Sequence, residues 1–369
     1  MRVVIARQPG VLRDRLRQAV LGLGLECKSR DCVSYDQLPT RLGQGDVDLV
    51  LIGLGVDFDQ GLSVVEQAHQ QTTAPIFAVG LSSDSDHILQ TIRSGAREHI
   101  HEDDVREELL DAINKLRSAG IAAPRWGKVL AVTGAQSGLG VTTVACNLGF
   151  ALAGFYPGQV VLGELARTVP ELALNLDLKP PHGLDALASA WDRMDATLLR
   201  RALVAHPANL SVLAHKPEML DPVDLPPTAM RNVLILLRSM FPFTVVDVGH
   251  TIDESRMLAL ELADKIAVVL RLDIPSVRLS QQFLQRLEEQ GIAMEKVRII
   301  VNRYGQRQQF SWREAQKALG LTVLEWIPDD PARVNKSINQ GQPLTTVARG
   351  AAITRRFMKL AKNLNGRGS

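Results

Sequence analysis

The sequence predicts an α/β protein built from two open parallel sheets in tandem. Three observations carry this. Short apolar runs alternate with amphipathic stretches along residues 1–118, the alternation restarts at residue 129, and the segment between them, SAGIAAPRWGK at 118–128, is rich in small residues and has no period. Such an alternation gives parallel strands joined by right-handed crossovers. A chain of 369 residues also exceeds what one hydrophobic core usually serves. The expected domains are 1–118 and 129–369, joined by a linker at 119–128.

In the first domain, strands are expected at Arg2–Ala6, Leu49–Leu54, Ile76–Val79 and His99–His101, and helices at Leu12–Leu23, Val64–Gln71, Ile88–Gly95 and Val105–Leu116. In the second, a strand at Val129–Val132 enters a Gly-rich turn and a helix at Thr142–Ala153. Further strands are expected at Val160–Gly163, Leu210–Leu213, Thr244–Val248, Lys265–Leu270, Val297–Val301 and Val323–Ile327.

Composition excludes several classes. Hydrophobic residues at 46% argue against disorder, while aromatics at 4% and a net charge of +2 give no strong signal for nucleic acid. Cys27, Cys32 and Cys146 form no CxxC and no zinc spacing, which points to a reducing, cytoplasmic setting. There is no signal peptide and no apolar run near the ~20 residues that span a bilayer, so membrane contact is at most peripheral.

The first domain resembles the receiver of two-component response regulators, in DVDLVLIGLGV at 46–56, APIFAVGLS at 74–82 and GAREHIHED at 95–103. A working receiver needs an acidic pair for Mg2+, an Asp, a hydroxyl and a Lys at the strand ends. Here those positions read Ala6 and Arg7, Gly53, Gly80 and about Glu102. Gly53 has no carboxylate to phosphorylate and Arg7 puts a cation where Mg2+ would sit. Asp57 and Asp59 read as solvated loop carboxylates, with a displaced acidic site as the alternative. His99 and His101 share a strand face and have no third ligand nearby for a metal.

In the second domain, strand, loop GAQSGLGVTT at 134–143 and helix VACNLGFALA form the context of a phosphate-binding loop, in which backbone N–H groups and a helix N-terminus face the phosphates. This fits the deviant Walker A of the MinD/ParA family. Gly138, Gly140, Thr142 and Thr143 match, whereas Gln136 replaces the signature Lys and Val141 the Walker Lys. VVLGELARTVPELALNLDLKPPHGL at 160–184 resembles the family's next strand, with Glu164 at the first Asp and Ala166 at the second, which in the family orients the attacking water. FPFTVVDVGH at 241–250 carries a Walker B Asp247, and VNR at 301–303 and IPDDPARV at 327–334 match adenine-side segments, the former with Asn302.

The resemblance implies ATP as cofactor at Gly138, Gly140, Val141, Thr142, Thr143 and Asn302, with Mg2+ held by Thr142 and, through a water, Asp247. The missing lysines and Ala166 argue against hydrolysis, so no catalytic residue is assigned. Lys128 and Arg303 are the candidates for a substitute cation.

A receiver-like domain ahead of a MinD/ParA-like one is the arrangement of the CpaE/TadZ proteins of Flp (tight-adherence) pilus systems, which LDLKPPHGLDAL, LSVLAHKPE, LRLDIPSVR and VNRYGQRQ also resemble. That resemblance implies a scaffold which marks the site of pilus assembly, often a cell pole, and recruits the secretion ATPase and inner-membrane platform. A homodimer is expected, through the nucleotide site or the first domain. Two other functions stay open: a MinD-type ATP-dependent switch, and a ParA-like nucleic-acid-associated regulator. The amphipathic stretch 351–364 reads as a helix closing the second sheet, with a membrane-surface helix, as in MinD, the alternative. Trp126, Trp191, Trp312 and Trp326 are scattered and read as core or interface residues.

Overall fold

The computed structural model describes residues 1–7, 11–55, 57–81, 84–118, 126–166, 171–188, 190–191, 194–218, 225–307 and 309–365. The chain divides into two compact units, Met1–Arg125 and Trp126–Ser369. Of the expected linker, 119–125 lies outside the described residues. Its last three residues belong instead to the second unit. The Gly127 N–H donates to the Arg238 carbonyl at 2.7 Å, and Lys128 opens a strand. A glycine is needed there, because a Cβ would stand 1.8 Å from the Phe241 carbonyl oxygen.

The first unit holds β1 (Val3–Ala6), β2 (Cys32–Val33), β3 (Leu49–Gly53), β4 (Ile76–Gly80) and β5 (Glu98–His101). All pair in parallel, in the order β2-β1-β3-β4-β5. This is the flavodoxin-like doubly wound order, in which ligands gather at the C-terminal strand ends around the point where strand order reverses, here between β1 and β3. Every residue of β1, β3 and β4 is buried, as helices on both faces of a parallel sheet require. The two-residue β2 was not expected from sequence, being too short to show a period.

The second unit adds β6 (Lys128–Gly134), β7 (Val160–Glu164), β8 (Val204–His206), β9 (Leu210–Leu213), β10 (Phe243–Asp247), β11 (Lys265–Leu270), β12 (Val297–Tyr304) and β13 (Val323–Pro328). Their order is β13-β12-β11-β6-β10-β7-β9-β8. The fold class is as expected, with one correction: β8 runs antiparallel to β9 as a short edge hairpin. Alternate residues of β6 serve two cores. Val129 and Ala131 face one layer with Val233 and Leu237, and Leu130 and Val132 face the other with Leu148 and Phe357.

Helix Val141–Phe155 buries eleven residues because sheet and C-terminal helix Ala352–Asn365 enclose it. That last helix buries Ile353, Phe357, Leu360 and Leu364, while Arg356 and Lys359 pair with the fully buried Glu325 of β13 at 2.9 and 3.2 Å. Its apolar face is thus part of the folded unit. Among the described residues, no helix is long and apolar enough to cross a membrane.

Candidate functional site

At the C-terminal edge of the first sheet, the residues expected to replace receiver chemistry come together as a packed surface. Gly53 ends β3, and Arg7, just beyond β1, lies across it: a Cβ at position 53 would stand 2.8 Å from Arg7 Cδ. The Tyr35 hydroxyl donates to the Gly53 carbonyl, and burial pushes that phenol's pKa up. Ala6 is fully buried. Asp57 caps helix Phe58–Gln71 by accepting from the Gln60 N–H at 3.0 Å, and Asp59 is exposed. On β5, His99 packs under Gly80 and His101 Nε2 lies 3.0 Å from the Leu81 carbonyl. Glu102 follows β5, its N–H bonded to the Gly80 carbonyl at 3.0 Å.

In the second unit the loop Ala135–Gly140 joins β6 to helix Val141–Phe155. Gly138 and Gly140 both adopt positive φ, 74° and 86°, a conformation glycine takes at no steric cost. Val141 is buried, with Cγ2 only 2.9 Å from where a Cβ on Gly134 would be and with Leu139 Cδ1 at 3.0 Å from the same point. The two apolar side chains pack under the loop. Gln136 is half-buried and Ser137 and Gly138 are exposed.

Behind the loop, carboxylates collect. Asp247 ends β10 and Glu164 ends β7, in direct register. The Thr142 hydroxyl donates to Asp247, as does the Gly249 N–H at 2.9 Å, yet burial dominates and raises the Asp247 pKa. Glu164 is an anchor. It accepts the N–H groups of Glu171 and Leu172, each at 2.9 Å, and that of His215 at 3.1 Å. Desolvation still outweighs these donors and pushes its carboxyl up to about 7. Ala166 is buried two residues beyond Glu164 and offers no group to orient water.

Arg256 is a residue of the site that no motif or spacing marks. It lies 3% exposed in helix Glu254–Leu262, with its guanidinium 4.5 Å over the Phe283 ring. It donates to Thr133 Oγ1, to the Gly134 carbonyl at 2.8 Å and to the His250 carbonyl. Burial lowers its pKa to about 10. All of this lies behind the loop, so the charge ties β6 to the segment after β10. Lys128 is ruled out as a substitute cation: it begins β6, roughly 20 Å from the loop at ~3.3 Å per residue, and its Nζ donates to the Asn365 carbonyl.

A cavity of about 410 Å3 opens beside the loop, lined by Gly140 and Thr143, by Asn302, Arg303 and Gln306, by Ile327 to Pro331, and by Ile353 and Phe357. That volume falls in the ~300–1,000 Å3 range of small-ligand sites. Asn302 lines it but is also committed to the loop, its Nδ2 donating to the Leu139 carbonyl at 2.8 Å. Trp312 and Trp326, expected to be scattered, stack with centroids 5.8 Å apart, and Tyr304 joins them at 6.1 Å.

These residues fit the nucleoside side of a nucleotide. They do not fit the far end of a Mg2+-bound triphosphate. Val141, which stands where the resemblance puts the Walker lysine, is turned into the core.

No family model matches the chain. The MinD septum site-determining protein of Thermotoga maritima is 26% identical over 263 residues, covering 66% of this chain and 89% of that protein. The ParA family ATPase of Chlorobium tepidum superposes with a TM-score of 0.60 at 22% identity, covering 64% of this chain and 98% of its own. MinD of Pyrococcus horikoshii, solved with Mg-ADP, gives 0.58 at 20%, covering 66% and 98%. By fold, then, this chain carries a domain of the MinD/ParA type, and in sequence it is similar to MinD proteins.

Proposed function

We propose that this chain is a positioning scaffold of the MinD/ParA type that marks the assembly site of an Flp (tight-adherence) pilus, in the manner of the CpaE/TadZ proteins. The observation that carries the scaffold reading is Val141 packed beneath the loop against Gly134 and Leu139, an apolar side chain where the resemblance puts the Walker lysine. The first unit supports it in parallel, as a pseudo-receiver whose acceptor position is Gly53 covered by Arg7. Two folds that elsewhere perform phosphoryl chemistry have each kept their packing and exchanged their reactive groups. Such a chain acts through its surfaces: it forms a homodimer, binds the secretion ATPase and inner-membrane platform, and touches the membrane only through them, at the assembly site near a pole.

The test is co-purification of the full chain with the secretion ATPase of the same pilus system. Binding is expected to be equal with and without nucleotide and unaffected by Asp247→Ala. Binding that requires Mg-ATP and disappears in Asp247→Ala would transfer the protein to the second reading, an ATP-dependent switch. One observation favours that second reading, the Thr142–Asp247 hydrogen bond, which keeps a hydroxyl and a carboxylate together where Mg2+ would be held.

A further inference from the structure

Two of the chain's three cysteines meet in the first unit. The Sγ atoms of Cys27 and Cys32 lie 3.5 Å apart, and both residues are buried thiols, 3% and 7% exposed. A disulfide brings its sulfurs to about 2.05 Å, so a small side-chain movement closes the gap. The third, Cys146, sits in the second unit's helix Val141–Phe155.

What holds the pair together is not the sulfur contact. Between the two cysteines runs a single helical turn, Ser29–Asp31, and Asp31 at its end is fully buried. Its carboxylate accepts the Lys28 N–H at 3.0 Å and pairs with Arg41 at 2.9 Å and Arg2 at 3.2 Å. Cys27 follows the bridge between Glu26 and Arg2, and Cys32 opens β2 opposite Ile5 of β1. The backbone at both cysteines is therefore fixed before any S–S bond exists, and folding has already met the closure cost of the loop between them.

The hydrogen bond with Cys32, and then burial, push the Cys27 thiol up, which slows reaction through the thiolate. The cover is thin. Lys28, Ser29 and Arg30 are exposed, and β2 is a two-residue strand at the sheet edge, so local opening of this edge gives access.

We propose that Cys27 and Cys32 form a reversible dithiol–disulfide site whose oxidant is a low-molecular-weight disulfide. The Cys32 thiolate, the less covered of the two, attacks one sulfur of the oxidant, releases one thiol and leaves a mixed disulfide; Cys27 then displaces the second thiol. One S–S bond forms as one breaks, two electrons pass to the oxidant, and the two cysteine protons end on the two released thiols. The crosslink fixes β2, whose Val33 carbonyl accepts the Arg7 N–H at 3.0 Å, and so stiffens the strand end that covers Gly53. None of this depends on nucleotide binding or on a role in pilus assembly.

The test equilibrates the full chain, folded and in urea, in glutathione buffers of graded ratio, followed by acid quenching, alkylation with N-ethylmaleimide under denaturing conditions and mass spectrometry. Equilibrium is approached from reduced and from oxidised protein, so slow access delays the result without changing it. The Cys27–Cys32 disulfide is expected to form in the folded chain at a glutathione disulfide content at least about tenfold lower than in the unfolded chain, as thiol–disulfide equilibria report for a held pair. Dithiothreitol should restore both thiols, and Cys146 should be alkylated throughout. Cys27→Ser and Cys32→Ser should each carry at most a glutathione adduct. A folded chain that needs as much glutathione disulfide as the unfolded one would overturn the proposal, as would a disulfide to Cys146 in place of the pair.

Discussion

Arg7 occupies the space that a side chain on Gly53 would need, its Cδ 2.8 Å from the place of a Cβ on that glycine. The cation of one strand end thus covers the end of its neighbour, which the receiver resemblance makes the acceptor position. Small phosphodonors with Mg2+ are expected to leave no acid-labile phosphoaspartate in residues 1–118, by mass spectrometry. Gly53→Asp is expected to remain unlabelled too. The new carboxylate would displace Arg7 and pair with it, and Ala6 and Arg7 still provide no Mg2+ ligands. Labelling of the wild type above trace occupancy would return this unit to signalling.

The protein is expected to show no ATP turnover above background. Val141 cannot pair with the β/γ-phosphates, Gln136 supplies no cation, and buried Ala166 cannot orient water; phosphoryl transfer depends almost wholly on such positioning and electrostatics. Val141→Lys alone should leave turnover near zero. A phosphate-release assay checks this, with Asp247→Ala as the contamination control. Robust wild-type turnover that vanishes in that control would sink the scaffold reading.

Phe357, 2% exposed between helix Val141–Phe155 and β13, anchors the C-terminal helix. Phe357→Ala is expected to cost about 3–5 kcal/mol, read by urea unfolding, and deletion after Gly350 should abolish a cooperative transition. An unchanged melting temperature together with loss of binding to anionic liposomes would instead make this helix a membrane element.

Stability should decline as pH rises between about 4.5 and 7. Glu164 is pushed by burial from 4.5 to about 7 in the folded chain, so folded protein keeps this proton over a range where unfolded chain has released it. A raised carboxyl pKa contributes stability that is complete below the unfolded value and is lost on approach to the folded one. The loss is roughly 3 kcal/mol at most, at ~1.4 kcal/mol per unit. Urea unfolding at pH 5 and 7.5 measures it. Glu164→Gln, which cannot titrate, should flatten the difference, and equal pH dependence in the two proteins would exclude Glu164 as the source.

Periodicity and turn residues made most of the fold legible, because helices and strands of several turns or residues repeat their burial pattern along the chain. The edge strands β2 and β8, of two and three residues, repeat nothing and were missed. Gly138 and Gly140 announced the loop through the backbone shape they permit. Glu164 stood at its matched position, but its use as an anchor for Glu171, Leu172 and His215 depends on contacts seven to fifty-one residues away. Arg256 is further removed still, since its partners Thr133 and Gly134 lie on a strand more than a hundred residues earlier. Lys128 was misplaced because sequence proximity to the loop ignores which end of a strand a residue occupies.

Gly140 and Asn302 stand close enough that folding alone constrains the loop. A Cβ at position 140 would stand 2.4 Å from Asn302 Nδ2, the atom that holds the Leu139 carbonyl. Any larger residue there would strain the positive φ and push β12 away from the start of the helix, whether or not a ligand ever binds. Position 141 carries no such veto, since a buried valine satisfies the core as well as the aliphatic part of a lysine would. The glycines are thus policed by folding, while the lysine answers only to the ligand. Glycine spacing therefore reports the shape of the loop, and the residue after Gly140 reports whether a cation faces its ligand side.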